Sequence, residues 1–164
     1  MDPRPLRFLV ALTLSAACAS VQPPDPSAAT FTIDGRPITL VAGHAEQPAA
    51  PGSASKILTD LGPQRVDGDV DGDGRPDSVV ALVYRPGGSG TFTYVALLLN
   101  PASGPSGTNG VLIGDRVTLS ALRLDGKAIV VEYLDRRPGE PFATAPSVAT
   151  TKRLSLTGGK LAAQ

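Results

Sequence analysis

Residues 67–84 read Asp67-Gly-Asp-Val-Asp-Gly-Asp-Gly-Arg-Pro-Asp-Ser-Val-Val-Ala-Leu-Val-Tyr84, an acidic loop that runs straight into an apolar stretch. Asp67, Asp69, Asp71 and Asp73 occupy alternate positions, and a fifth aspartate, Asp77, closes the loop. Carboxylates this close repel one another and raise each other's pKa. A hard cation removes that penalty, and Ca²⁺ takes roughly six to eight oxygen ligands from loops of this kind. The register that fits places Asp69, Asp71 and Asp73 at loop positions 1, 3 and 5, Gly74 at the sharp turn, and the Arg75 carbonyl at position 7. Val80 falls where an EF-hand places its bidentate Glu, so Asp77, at position 9, has to close the shell. Starting the register at Asp67 instead puts Arg75 at position 9, which a cation site would not accept. The competing reading is a solvated acidic turn, since Asp and Gly form turns readily. The D-x-D-x-D-G-x-x-D spacing, followed at once by Val79–Tyr84, favours a structural Ca²⁺ site held by Asp69, Asp71, Asp73, Arg75 and Asp77.

Short apolar runs separated by turn residues continue on both sides. Phe31–Ile33 and Ile38–Val41 flank Asp34-Gly35, a hairpin signal. Val79–Tyr84 and Thr91–Leu99 flank the glycine-rich stretch Pro86–Gly90. Val111–Ile113 and Val117–Leu124 follow, Asp125-Gly126 leads into Ala128–Leu134, and Val148–Leu156 meets a last strand near Leu161 across Gly158-Gly159. Only Ser53–Asp60 has the composition for a short helix. With 18 glycines and 16 prolines in 164 residues, long helices are excluded. The expected fold is all-β, an antiparallel sandwich or rolled sheet of about eight short strands with one calcium loop.

The N-terminus carries the second strong signal. Arg4 and Arg7 precede or open an apolar run, Leu6–Ala17, of signal-peptide length and too short for a stable membrane span. Small residues surround the only cysteine in Leu14-Ser15-Ala16-Ala17-Cys18, which resembles a bacterial lipobox with Ser15 where Leu is usual. Cleavage before Cys18 and lipidation of its thiol would anchor the chain. The alternative cut follows Ala17-Cys18-Ala19 and releases a secreted or periplasmic protein from Ser20. Both readings export the protein, and Ca²⁺ is abundant outside the cytoplasm. Ser20 at the second position after the cysteine, rather than Asp, resembles lipoproteins sorted to the outer membrane of a two-membraned cell. The expected organisation is a signal peptide at 1–17, a Pro-rich tether at 18–29 and one β domain at 30–164.

Composition excludes some partners. The chain's 15 basic and 15 acidic residues become 13 and 14 when processing removes Asp2, Arg4 and Arg7, so no basic footprint for nucleic acid remains. Four Phe, three Tyr and no Trp are too few for an aromatic-lined sugar or base platform.

Several stretches also match in order: Pro51–Lys56, Gly68–Asp77, Gly87–Val95, Leu112–Val117, Glu132–Pro141 and Pro146–Val148. Together they resemble a family of uncharacterised bacterial exported proteins and lipoproteins, over roughly residues 31–156. The resemblance implies export and the extent of the domain, and no activity. The acidic loop alone is similar to those of dockerins, thrombospondin repeats and integrin-type propellers, which implies metal binding and not those folds.

Constellations for enzyme chemistry are sparse. Ser53-Ala54-Ser55-Lys56 fits the S-x-x-K of penicillin-recognising enzymes, but their other motifs are absent and the mature chain is too short. A capped turn explains it. His44 is the only histidine, with no partner at metal-ligand or triad spacing. Gly87–Gly90 lacks the helix or Lys that would make it an anion cradle. Arg136 and Arg137, in the Pro-fixed turn 135–141, could with Arg116 face a carboxylate, a phosphate or a partner, or could pair with Asp135, Glu140 or Asp115. The sequence therefore points to an exported, lipid-anchored, calcium-stabilised module that binds or supports an envelope protein or ligand. Alternatives are a small periplasmic hydrolase, or an inhibitor inserting loop 135–141 or 101–110 into an envelope enzyme.

Overall fold

The computed structural model of the chain describes residues 21–164, so the signal peptide expected at 1–17 and the lipidation expected at Cys18 lie outside the described residues. One 3-10 turn, Pro26–Ala28, precedes the strands β1 (Thr30–Ile33), β2 (Arg36–Thr39), β3 (His44–Pro48), β4 (Lys56–Gly68), β5 (Asp77–Arg85) and β6 (Phe92–Leu99). Then come β7 (Ser106–Gly107), β8 (Val111–Asp115), β9 (Thr118–Asp125), β10 (Ala128–Asp135), β11 (Val148–Thr157) and β12 (Lys160–Ala163). The β1–β2 hairpin stands by itself, β9–β12 form a four-stranded sheet, and β3-β4-β5-β6-β7 form the larger sheet, with β8 also on β6. All of these strand pairs are antiparallel. The fold is all-β and is not a closed barrel.

The apolar run after the acidic loop becomes the middle of the larger sheet. Successive side chains of a strand point to opposite faces, so a run apolar at every position belongs between two layers. Val80, Leu82 and Tyr84 of β5, with Tyr94, Ala96 and Leu98 of β6, pack on Phe31, Ile33, Ile38 and Leu40. Val79, Val95 and Leu97 face the other way, onto Leu122, Ile129, Val131, Leu154 and Leu161 of the four-stranded sheet. The result is three layers: hairpin, large sheet and small sheet. Asn109 helps join the last two, because its side-chain amide donates to Leu161 O (2.8 Å) and accepts from Leu161 N (3.0 Å). It acts as a one-residue strand partner on the edge of β12.

Among the described residues twelve strands replace the roughly eight expected, and Ser53–Asp60 forms a turn and strand rather than the short helix expected there. Ser53 and Ser55 belong to a turn, in which Ser55 N donates to Ser53 Oγ (3.0 Å). From Lys56 onward the chain pairs with β3 and β5, burying Ile57 and Thr59 on one face. Burial at alternate residues outweighs local helix preference. The first strand of this sheet, β3, is polar and becomes a strand only through its pairing with β4. Residues 22–29, assigned by composition to a tether, lie against the domain. Pro24 and Pro26 are buried, and Ala29 belongs to the first core.

Leu82 is fully buried between β4 and β6, whereas Leu112 of β8 is 44% exposed. Leu82→Ala should lower unfolding free energy by about 2–5 kcal/mol. Leu112→Ala should change it by about 0.5 kcal/mol or less. Urea denaturation of the two variants beside the wild type checks the layer assignment.

Candidate metal centre

The acidic loop leaves β4 at Gly68 and enters β5 at Asp77, and the protein interior holds it at two points. The Val70 side chain, 2% exposed, is inserted in the core between the large and small sheets. Its neighbours Asp69 and Asp71 consequently lie at the surface, on either side of this plug. Asp77 is fully buried at the start of β5. Gly72 and Gly74 take left-handed backbone conformations (φ 91° and 81°), which lets the chain double back over so few residues.

The turns bring one carboxylate oxygen from each of Asp69, Asp71 and Asp77 within 4.8 Å of one another. This group can hold a metal ion. Its donors are all carboxylate oxygens, the set preferred by hard cations rather than by zinc or copper. Asp73 stands outside the group, and its Oδ1 accepts from Arg75 N (2.8 Å). Arg75 has only its carbonyl to offer an ion, because its side chain donates to the Asn100 backbone oxygen. Asp67 is engaged elsewhere, accepting from Arg65 Nε (2.7 Å) and facing the Ser78 hydroxyl at 2.7 Å.

Backbone amides organise the cluster from within. Asp69 accepts from Gly72 N (2.6 Å) and Gly74 N (3.0 Å), and Asp71 accepts from Asp73 N (3.0 Å). Asp77 bridges two parts of the chain, accepting from Val70 N through one oxygen and from Asn100 N through the other, both at 2.9 Å. All of these bonds favour the charged carboxylate, yet Asp69 and Asp77 shift in opposite directions. The amide bond from Gly72, helped by Gly74 and the charge of Lys127, holds the Asp69 carboxyl below the usual range. Burial pushes the Asp77 carboxyl up, and nearby Asp71 adds to the shift, while the Val70 and Asn100 amides oppose it. An ion seated among the three would relieve the repulsion that burdens Asp77. Lys127, from the turn between β9 and β10, reaches across to donate to Asp71 O (2.7 Å) and is the nearest cationic side chain bonded to the loop.

The other candidate residues have structural partners. Arg116 pairs with Asp115 Oδ2 (3.3 Å) and donates to Ser89 O. Arg136 donates to Thr144 O and, at 3.0 Å, to Arg116 O. Arg137 pairs with Glu140 Oε1 (3.3 Å). The guanidiniums of Arg116 and Arg136 also lie over the Phe142 ring, 4.6 and 5.8 Å from its centroid. Phe142 is 61% exposed and carries no periodic signal in the sequence; this arrangement exists because its loop folds back to Arg116, in the turn between β8 and β9. Lys56 pairs with Glu46 on the neighbouring strand rather than with Ser53. His44 Nδ1 lies 2.7 Å from Asp60 Oδ1, and Arg85 holds the other Asp60 oxygen at 2.6 Å. Burial opposes ionisation of Asp60, but these two partners outweigh it and hold its carboxyl low.

Asp69→Ala, Asp71→Ala and Asp77→Ala should weaken cation binding more than Asp67→Ala does, with Asp73→Ala between. Asp77→Ala should also destabilise the metal-free protein by about 2–6 kcal/mol, since it strands two buried amide donors at ~1–3 kcal/mol each. Calorimetric titrations and urea melts in chelator measure the two effects separately. Asp67→Ala as the most damaging change would show that the register is shifted by two residues.

No protein-family model, no curated protein and no solved structure matches the chain.

Proposed function

We propose that the protein is an exported calcium-binding module of the bacterial cell envelope, anchored through a lipid on Cys18, with the ion serving stability rather than catalysis. The observation that carries this reading is the convergence of Asp69, Asp71 and Asp77 in a loop anchored by buried Val70 and buried Asp77. Three carboxylates, with the Arg75 carbonyl and Asp73 next in the loop, match the oxygen-rich, adaptable shell that Ca²⁺ takes. Mg²⁺ demands a smaller octahedral cage and gives up its waters reluctantly, so it fits less well. A loop that leads directly into the central strand is placed to brace the fold. The sequence at residues 4–18 supports export and anchoring, and so does the resemblance to exported lipoproteins. Extracellular calcium modules work at roughly 10⁻⁴–10⁻³ M affinity, which suits that compartment.

A ligand that binds only the folded state stabilises it by RT ln(1 + [L]/Kd), about 1.4 kcal/mol when calcium is about ten times Kd. Thermal melts in millimolar Ca²⁺ should therefore exceed those in chelator by about 3–6 °C, with Mg²⁺ giving much less. Equal melting temperatures in all three conditions would reduce the loop to an acidic turn.

The anchor has its own test. Cys18→Ser should move the protein from the membrane fraction to soluble material, or leave it unprocessed. A wild-type mature chain beginning at Ser20 would show secretion without a lipid.

A further inference from the structure

We propose that the cleft between the β1–β2 hairpin and the β11–β12 turn binds a small ligand bearing an oxyanion, carboxylate or phosphate, with Lys160 as its charge partner. The cleft holds about 460 Å³, inside the range of roughly 300–1,000 Å³ that small-molecule sites occupy. Thr32 and Gly35 border it from the hairpin, Thr108 and Asn109 from the chain between β7 and β8, and Gly159 and Lys160 from the last turn. No residue of the acidic loop lines it, so the site is independent of the calcium reading.

The cleft is preformed, because both sides are pinned to the stretch 108–110. On the hairpin side, Thr32 N donates to Thr108 O (3.1 Å) and Thr32 O accepts from Gly110 N (2.7 Å). On the other side, the Asn109 carboxamide holds both backbone groups of Leu161, the residue next to Lys160. Leu161 is buried, so the backbone beside Lys160 is fixed while Lys160 itself stays at the surface. Gly35 and Gly159 have open space where a Cβ would stand, which leaves their peptide groups within reach of a ligand. A site whose walls are already in place loses little to ordering when it binds.

Charge selects the ligand. Lys160 is the only ionisable residue that lines the cleft. The other three lysines of the chain are engaged, Lys56 with Glu46, Lys127 with Asp71 O and Lys152 with Leu112 O. Among the described residues, Lys160 is the one lysine whose ammonium meets no carboxylate and no carbonyl. Asp34, beside Gly35, is turned toward the large sheet, where both its oxygens accept from the hydroxyl of buried Tyr94 (2.9 and 3.0 Å). An ammonium is a point charge without the planar fork that sorts carboxylate from phosphate geometry, so the cleft's chemistry specifies an oxyanion of either kind. The Thr108 hydroxyl and the Asn109 amide are committed within the protein, which leaves Thr32 and the glycine peptide groups to meet the neutral part of the ligand.

The test is ligand-observed NMR on the full chain with three probes: inorganic phosphate, N-acetylalanine, and the uncharged N-acetylalanine amide. The expected result is phosphorus line broadening for phosphate, saturation transfer to N-acetylalanine, or both, and no transfer to the amide. Which anion responds identifies the source of the oxyanion. Lys160→Gln should weaken the response about fivefold or more, the upper end for an exposed charge pair. Lys160 is exposed, so this variant should fold as the wild type does. Lys56→Gln removes the same charge from a lysine outside the cleft and should leave binding unchanged. Silence from both anions, an equal response from the amide, or binding that survives Lys160→Gln overturns the site.

Discussion

Strand β5 has no face to offer to water. Val79 is buried on one side and Val80, Leu82 and Tyr84 on the other, and the strand pairs with β4 and β6 along both edges. A strand of this kind is stable only inside a three-layer stack. The hairpin must cover one face and the small sheet the other. That requirement arranges everything else, including the loop that feeds β5. A chain with one cysteine has no internal disulfide to brace it, and a core shared by two layers on one sheet supplies the cohesion instead.

The same constraint explains the electrostatics of the loop. Asp77 begins β5, so immobilising β5 immobilises a carboxylate in the protein interior. A buried carboxylate is costly unless its oxygens are satisfied. Val70 and Asn100 provide one amide each, which meets the hydrogen-bonding need but leaves the charge. Asp69 and Asp71 then add negative charge at the surface end, and Lys127 approaches from the other side, bonding a backbone oxygen. The balance favours a cation. It also divides the group, with Asp77 fixed in the interior and Asp69 and Asp71 exposed, where they could adjust around an ion.

The sheet edges are managed by different devices. Asn109 occupies the edge of β12 at Leu161, and Gln64 donates to Leu119 O on the edge strand β9 (3.1 Å). The opposite edge of the large sheet is β3, which is short, carries His44 and Glu46, and ends in Pro48. Charge, shortness and proline all discourage strand addition from another molecule. The arginines near Phe142 serve a similar local purpose, fastening the long 136–147 connection to carbonyls and an aromatic ring.

Much of the fold was legible because its signals are local. Asp34-Gly35, Asp125-Gly126 and Gly158-Gly159 each mark a turn, and each lies between the strands that the structure pairs. The unbroken Val79–Tyr84 run marks a strand, and the structure buries it on both faces. The spacing of the aspartates singled out Asp69, Asp71, Asp73 and Asp77 and set Asp67 apart, one residue more than the structure brings together. Tertiary structure decided the rest, because the deciding partners are distant in sequence. Lys56–Gly68 became a strand through neighbours on both sides, against its own short helical composition. Asp73 stands outside the acidic group because Arg75 N takes its oxygen, and Asp77 enters it fully buried because β5 is fixed elsewhere. The Pro-rich segment at 22–26 looks like free linker by composition, since proline removes backbone donors and any regular pattern. It docks because the carbonyls of Gln22 and Pro24 meet donors from Asn100 and Arg65, which only the folded sheet brings to that place.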